Sequence, residues 1–375
     1  MEAASDGGQE ELISLLALSF VPGIGPVTAR QLITHFGSAT EVFRRRRREL
    51  ERIPGVGSER ACAVLKSVPR VRAEEELHFL TKHSIRGLSF RSDDYPRRLR
   101  QCEDAPVIVY FKGGADLNPE RSVAVVGTRR ISPYGRMLVE DLVRQLAGAG
   151  VTVVSGLAYG VDIAAHRASL QSDAPTIAVV AHGLDRIYPG SHRSVALAML
   201  ERGGLLTEFP SNTRPDRDNF PARNRIVAGM TDATIVVESA NRGGALITAE
   251  FANDYNRDVF AYPGRTDDEY SKGCNKLIRT NKAMLVESGE QVLEVMNWLH
   301  AGNSRETVQR QLTIFRELSP VQRRIVDFLK SAVGAHLDEI AWKCELPVSQ
   351  AAVALLEMEF KGLVRPEPGK VFRLL

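Results

Sequence analysis

The chain has 375 residues, 43% hydrophobic and 25% charged, with a formal net charge of +3, which excludes a uniformly basic protein and leaves room for two or three domains with real cores. Its four cysteines, Cys62, Cys102, Cys274 and Cys344, are scattered without a CxxC pair, which argues against a zinc site or a disulfide framework and fits a reducing cytoplasm. The apolar run from Ile13 to Val21 is short and follows Glu10 and Glu11, so neither a signal peptide nor membrane insertion is expected.

The first region, residues 8–85, carries an internal repeat. Val21-Pro-Gly-Ile-Gly-Pro-Val-Thr-Ala-Arg30 returns as Ile53-Pro-Gly-Val-Gly-Ser-Glu-Arg-Ala-Cys62. Each copy reads as a tight glycine turn between two helices, with amides exposed at a helix start. This is similar to a helix-hairpin-helix motif present twice, a SAM-like all-α domain, and its role is either DNA contact or structural. Arg44 to Arg48 lies between the repeats. Five successive arginines cover all sides of a helix, so a solvated face is favoured over a phosphate contact.

Residues 86–300 alternate short apolar runs with amphipathic ones. Strands are expected in the run ending at Phe111, at Ser122–Val126, Val151–Ser155, Thr176–Ala181, Leu205–Glu208, Ala233–Glu238 and Asp258–Ala261. Helices are expected at Tyr134–Ala147, Val161–Leu170 and Ser194–Glu201. That alternation predicts a mostly parallel, Rossmann-like sheet covered on both faces, with ligands at the carboxyl ends of its strands.

Every distinctive motif falls at those strand ends. Gly127 and Arg129 follow the Ser122 strand, and the helix beginning near Ser132 and Tyr134 offers an amino end that favours an anion. Ser155, Gly156 and Gly160 form the next turn, where Asp162 is either a helix cap or a ligand group. His166 lies one helical turn further on, and the two read as a structural hydrogen bond rather than a catalytic dyad. Arg186, Tyr188 and Arg193 follow the third strand: the arginines suit phosphate, and Tyr188 either stacks a base or lids the loop. Phe220-Pro-Ala-Arg223-Asn224-Arg225 is the most specific segment, two guanidinium groups opening an apolar helix. Ligand contact is favoured there over pairing of Arg223 and Arg225 with Glu208 or Glu238. Gly243, Gly244 and Thr248 form a phosphate-cradling turn into a helix.

Residues 301–311 read as a linker. Residues 312–375 read as a winged helix, with helices at Pro320–Leu329, His336–Cys344 and Ser349–Lys361 and a terminal hairpin. The third helix has two Glu and no Arg, which favours protein contact over DNA reading. The chain has no GxxxxGK[ST], no GxGxxG followed by an acid, no catalytic constellation and no metal-ligand spacing.

In combination, the Gly-Thr-Arg turn, Ser-Gly-x-Ala-x-Gly-x-Asp, Gly-x-Asp-x-x-Tyr-Pro, Phe-Pro-x-Arg-Asn-Arg, and Pro263-Gly264 with Ser271-Lys-Gly-Cys-Asn275 resemble the DprA/Smf family of DNA-processing proteins over almost the whole chain. The resemblance implies non-catalytic single-stranded DNA binding and homodimerisation through the central domain. It also implies protection of incoming strands and loading of RecA recombinase in natural transformation. It maps a positively charged pocket to Arg129 and the Phe220–Arg225 segment. Arg242-Gly-Gly-Ala245 and Asn281-Lys282 depart from the family pattern and can add charge to the surface. The alternative is a LOG-like nucleotide phosphoribohydrolase, because Gly243, Gly244, Thr248 and Glu250 are similar to that signature, although Arg242 replaces its proline.

Overall fold

A computed structural model describes residues 6–66, 69–299, 319–331, 334–360, 363–367 and 371–374. The chain divides into two compact units, the first ending at Leu299. The expected linker at 301–311 lies outside the described residues.

The first unit opens with helices α1 (Asp6–Ser19), α2 (Pro26–Phe36), α3 (Ala39–Arg44), α4 (Arg47–Leu50), α5 (Ser58–Lys66) and α6 (Arg70–Lys82). The repeated turns put Gly23 at φ 78° and Gly55 at φ 81°, in the left-handed region where a side chain is strained. Pro26 then starts α2, where its fixed φ suits the first helical position and its missing N–H leaves nothing unpaired. Among Arg44 to Arg48, Arg44 and Arg45 pair with Glu41, and Arg47 pairs with Glu51, so the run is largely an ion-paired helix surface.

A nine-stranded sheet follows. It consists of β1 (Arg86–Ser89), β2 (Ile108–Gly113), β3 (Ser122–Val126), β4 (Thr152–Ser155), β5 (Thr176–Val179), β6 (Gly204–Thr207), β7 (Ala233–Val236), β8 (Asp258–Ala261) and β9 (Met284–Leu285). Their order is β1-β2-β6-β5-β4-β3-β7-β8-β9. From β6 to β9 every pairing is parallel, while β2 runs antiparallel to β6 and β1 antiparallel to β2. The mostly parallel sheet matches the sequence reading, with β1 and β9 added as edges. The covering helices are α7 (Arg97–Arg100), α8 (Pro133–Gly148), α9 (Val161–Gln171), α10 (Arg193–Ala198), α11 (Asn219–Gly229), α12 (Gly244–Asp254), α13 (Lys272–Arg279) and α14 (Gly289–Val295).

Side chains of β3 show why the strands read as continuous apolar runs. Ala124 and Val126 join one core cluster, and Val123 and Val125 join the cluster on the opposite face. Each such fully buried valine contributes about 1.5–3 kcal/mol of transfer free energy. The first cluster runs without a break from Leu16, Leu32 and Ile33 of the N-terminal helices to Val109 and Phe111 of β2 and Val227 of α11. The helical region and the sheet therefore share one core.

The second unit holds α15 (Pro320–Ser331), β10 (Ala335–His336), α16 (Leu337–Lys343), α17 (Val348–Phe360), β11 (Val364–Glu367) and β12 (Val371–Leu374). Its three strands run β10-β12-β11 and its core is built on Ile325, Ile340, Leu355 and Met358. Among the described residues, three helices and a terminal hairpin give the winged-helix arrangement. Among the described residues no helix is long and apolar enough to cross a membrane.

Candidate nucleic-acid interface

The order of the parallel strands reverses between β3 and β7, and such a switch point opens a crevice at the carboxyl edge. There the structure has a cleft of about 470 Å³. Gly127 and Arg129 after β3, Gly156 after β4, Phe220, Arg223 and Asn224 of α11, and Gly243, Gly244 and Thr248 at the start of α12 all line it. The sequence motifs at these strand ends, hundreds of ångströms apart in an extended chain, meet because the parallel crossovers return every carboxyl end to one edge.

The floor of the cleft is fixed by its own hydrogen bonds. Gly160 takes φ 80° and sits tight against the Thr128 carbonyl, which receives the Val161 N–H at 3.1 Å. A side chain at Gly160 would clash with that backbone. Asp162 neither caps α9 nor meets His166. Its Oδ2 accepts from the amides of Gly156 (3.1 Å) and Ala158 (3.3 Å), which lie ahead of it in the turn. Burial raises the Asp162 pKa, and neighbouring Arg223 opposes that shift. His166 instead bonds Thr176 Oγ1 at 2.7 Å, and burial pushes its pKa down to about 3, so the ring is neutral. Arg223 is buried and donates to the Gly156 carbonyl at 2.5 Å and to the Val179 carbonyl. It supplies positive charge from below while holding the floor.

The rim is built for an outside partner. Arg129 is exposed and lies over the Phe220 ring, 4.9 Å from its centroid. Among the described residues it has no carboxylate partner. A cation on an aromatic face is held in place without being neutralised. Helix α12 follows Gly243 at its N-cap position, where no side chain caps it, and Gly244 faces open space. Its unpaired amides and the positive end of its dipole point to the cleft. Asn224 donates to the Gly244 carbonyl at 3.4 Å, tying α11 to this turn. Beside the cleft runs a narrower groove lined by Tyr159, His182, Tyr188 and Pro189, which shares Arg129, Phe220 and Arg223. Tyr188 is 46% exposed, so its ring is not a core lid.

Several predicted residues lie elsewhere. The Phe220–Arg225 segment forms the first half of α11, so both arginines are helical residues. Residues two apart on a helix point in nearly opposite directions. Arg225 therefore leaves Arg223 and turns away from the cleft, where it is buried against Glu208 and donates to the Asp104 carbonyl at 2.7 Å. The expected two-guanidinium fork does not form. Ser155 is fully buried and donates to the Val125 carbonyl at 2.7 Å. Arg186 pairs with Asp185 at 2.7 Å, and Arg193 is exposed at the start of α10, outside the lining of either depression. The amino end of α8 is also taken. Glu238 accepts from the Ser132 N–H at 3.0 Å and from its hydroxyl, so the anion expected there is the chain's own. In the first hairpin, Arg30 donates to the Cys102 carbonyl at 2.6 Å and to that of Arg100 at 3.2 Å, a tie within the chain.

Sequence reasoning passed over Arg217 and Tyr159. Arg217 is exposed on the loop before α11 and lines the cleft. Tyr159 sits inside the glycine turn itself, 50% exposed, and packs edge-on to His192. Among the described residues Asp162 is the one carboxylate residue lining the cleft, and Glu250, the acid of the phosphoribohydrolase signature, faces Lys282 at 3.5 Å outside it. Among the described residues no cluster of His, Cys, Asp and Glu could hold a metal ion.

Known proteins share this architecture. The family model for DNA recombination-mediator protein A matches residues 86–297, a DprA winged helix domain matches 315–370, and a SAM-like helix-hairpin-helix tandem matches 15–67. The chain is 32% identical to protein Smf of Synechocystis sp. over 388 aligned positions, covering 94% of this chain and 96% of that protein. The X-ray structure of DNA processing protein A from Streptococcus pneumoniae superposes with a TM-score of 0.67 at 32% identity, over 78% of this chain and 98% of that one. DNA processing protein A from Helicobacter pylori, described for its single-stranded DNA binding mode, superposes with a TM-score of 0.52 at 29% identity, over 56% and 95%.

Proposed function

The chain belongs to the DprA/Smf family of DNA-processing proteins, and from that premise we propose that it binds single-stranded DNA in the cleft at the carboxyl edge of its sheet, without catalysis. One observation carries this reading: Arg129, held on the Phe220 ring at 4.9 Å with no described carboxylate beside it, faces the uncapped start of α12 across one cleft. A backbone phosphate fits the amides and the guanidinium, and a base fits the exposed aromatic rings of Tyr159 and Tyr188. Such binding needs neither a metal nor an activated nucleophile. Retention of the strand in this cleft, as a homodimer in the cytoplasm, would protect incoming single strands and present them for loading of RecA recombinase in transformation and recombination.

The test is fluorescence anisotropy with labelled single- and double-stranded oligonucleotides across a salt titration. Preference for the single strand, weakened by salt and reduced about five- to tenfold in folded Arg129→Ala protein, is the expected result. Equal binding by Arg129→Ala would move the DNA site out of the cleft. Release of free base from a nucleoside monophosphate would instead favour the phosphoribohydrolase.

A further inference from the structure

The loop that carries Arg217 to the cleft is held from outside the sheet. After β6 the chain passes through Pro210, Ser211, Asn212 and Thr213 before it reaches Arg214 and Arg217. Both arginines are exposed and, among the described residues, neither has an ion-pair partner. Ser211 is buried on the carboxylate of Glu76, which belongs to α6 of the N-terminal helical region and is itself 1% exposed. The Ser211 N–H donates to Glu76 Oε1 at 2.9 Å, and the Ser211 hydroxyl donates to Oε2 at 2.6 Å. Arg72, one turn back on α6, closes the arrangement. Its guanidinium donates to Glu76 Oε2 at 2.6 Å, to the Ser211 carbonyl at 2.8 Å and to the Ser211 hydroxyl at 3.1 Å, and lies over the Phe20 ring. Every polar group of Ser211 is thereby bonded to α6.

Two further bonds fix the next residues. The Asn212 N–H donates to Asp185 Oδ1 at 2.9 Å, and the Thr213 carbonyl accepts from the Gly183 N–H at 3.1 Å. Asn219 then donates to the Arg214 carbonyl at 3.2 Å, so the loop is closed where α11 begins. Between these two fixed ends only Pro215 to Asp218 remain, with Arg217 over the cleft.

Resting on the reading of the cleft as a single-stranded DNA site, we propose that Glu76 is a positioning residue for that site: the N-terminal helical region sets the place of Arg217, and through it one phosphate contact of the strand. A buried carboxylate with three donors is a stiff anchor, because losing any one donor leaves part of a buried negative charge without its hydrogen bond. Free cations on an unanchored loop would pay the ordering entropy at each binding event, and the anchor removes it beforehand. The helical region thus acts on DNA through the sheet's loop, with no contact of its own required.

The experiment measures binding of labelled oligothymidylate to the full chain between about 50 and 200 mM salt, where each phosphate contact on a single strand contributes about 0.7 to the slope of log affinity against log salt. Arg217→Ala is expected to lower the slope by about 0.7 and the affinity about two- to fivefold. Glu76→Gln keeps the shape of the side chain and is expected to give most of the same slope loss. The Glu76→Gln/Arg217→Ala pair is expected to match Arg217→Ala alone. A Glu76→Gln protein that melts earlier but keeps the wild-type slope has lost a structural bond only, and overturns the inference. So does a double variant whose slope losses add. Should Glu76→Gln not fold, Ser211→Ala removes a single hydroxyl from the same anchor. A smaller slope loss there supports the inference and an unchanged slope overturns it. Wild-type protein that fails to bind the oligonucleotide sinks the reading of the cleft instead. Hydrogen exchange at residues 212–217 then decides the anchor by itself: faster exchange in Ser211→Ala keeps it, and unchanged exchange removes it.

Discussion

Helices α8 and α12 both begin at the carboxyl edge of the sheet after a glycine-bearing strand end, yet they treat negative charge in opposite ways. The amino end of α8 is closed by Glu238, which takes the Ser132 N–H and hydroxyl. The amino end of α12 has no side-chain cap and looks onto the cleft. The same division separates two arginines. Arg225 is buried against Glu208, and Arg129 stands exposed on Phe220. A glycine turn at a strand end is therefore not in itself an anion site. What decides is whether the chain supplies the counter-charge from elsewhere in its own length.

Removing the internal counter-charges tests one side of this contrast. Arg225→Ala leaves Glu208 buried and unpaired, and is expected to destabilise the protein by about 3–5 kcal/mol in denaturant unfolding. An effect below 1 kcal/mol would show that Arg225 is free for a ligand after all. Glu238→Ala strands the Ser132 N–H and hydroxyl, for an expected loss of about 2–3 kcal/mol by the same assay.

The buried floor has its own signature. The folded-state pKa of His166 is lowered from 6.5 to about 3, chiefly by burial. Between those values the unfolded chain binds a proton that the folded chain does not. Stability from this residue is complete above about pH 6.5 and falls as the pH drops towards 3, by up to about 1.4 kcal/mol per pH unit. Asp162 and Glu208, both raised by burial, act with the opposite sign. The difference between wild type and His166→Asn across that window isolates the histidine, and parallel stability curves would contradict the assignment.

The sharpest and smallest change converts α12 into a second α8. Among the described residues nothing lies within 4 Å of the position a Gly244 side chain would take. Gly244→Asp is expected to fit, to leave stability equal or raise it by about 0.3–1 kcal/mol in thermal unfolding, and to weaken oligonucleotide binding severalfold. Unchanged binding would separate the α12 amides from the DNA site.

Much of the edge was legible in the sequence because tight strand-to-helix turns need glycine and leave short, recognisable strings. Gly127, Gly156, Gly243 and Gly244 came from such strings and meet at the cleft. The direction of Arg225 was not legible. It depends on where α11 starts, and Asp218 at that start makes no side-chain cap bond, so no local signal marks it. Glu238 as the stopper of α8 is equally hidden, since it lies 106 residues from Ser132. Strands β1 and β9, four and two residues long, are too short for a periodic pattern to declare them. Arg217 was overlooked because mixed charges in a polar loop, here Arg214, Asp216, Arg217 and Asp218, read as an ordinary solvated turn.

The bond between Glu76 and Ser211 spans 135 residues of chain. At a synthesis rate of about 5–20 residues per second, the N-terminal helices wait on the order of ten seconds for their anchor to be made. Strand β6, which β2 needs as its neighbour, appears only just before it. During translation the first eighty or so residues thus present an apolar flank whose covering has not yet been synthesised. Their early vulnerability to aggregation is a matter of timing as much as of sequence.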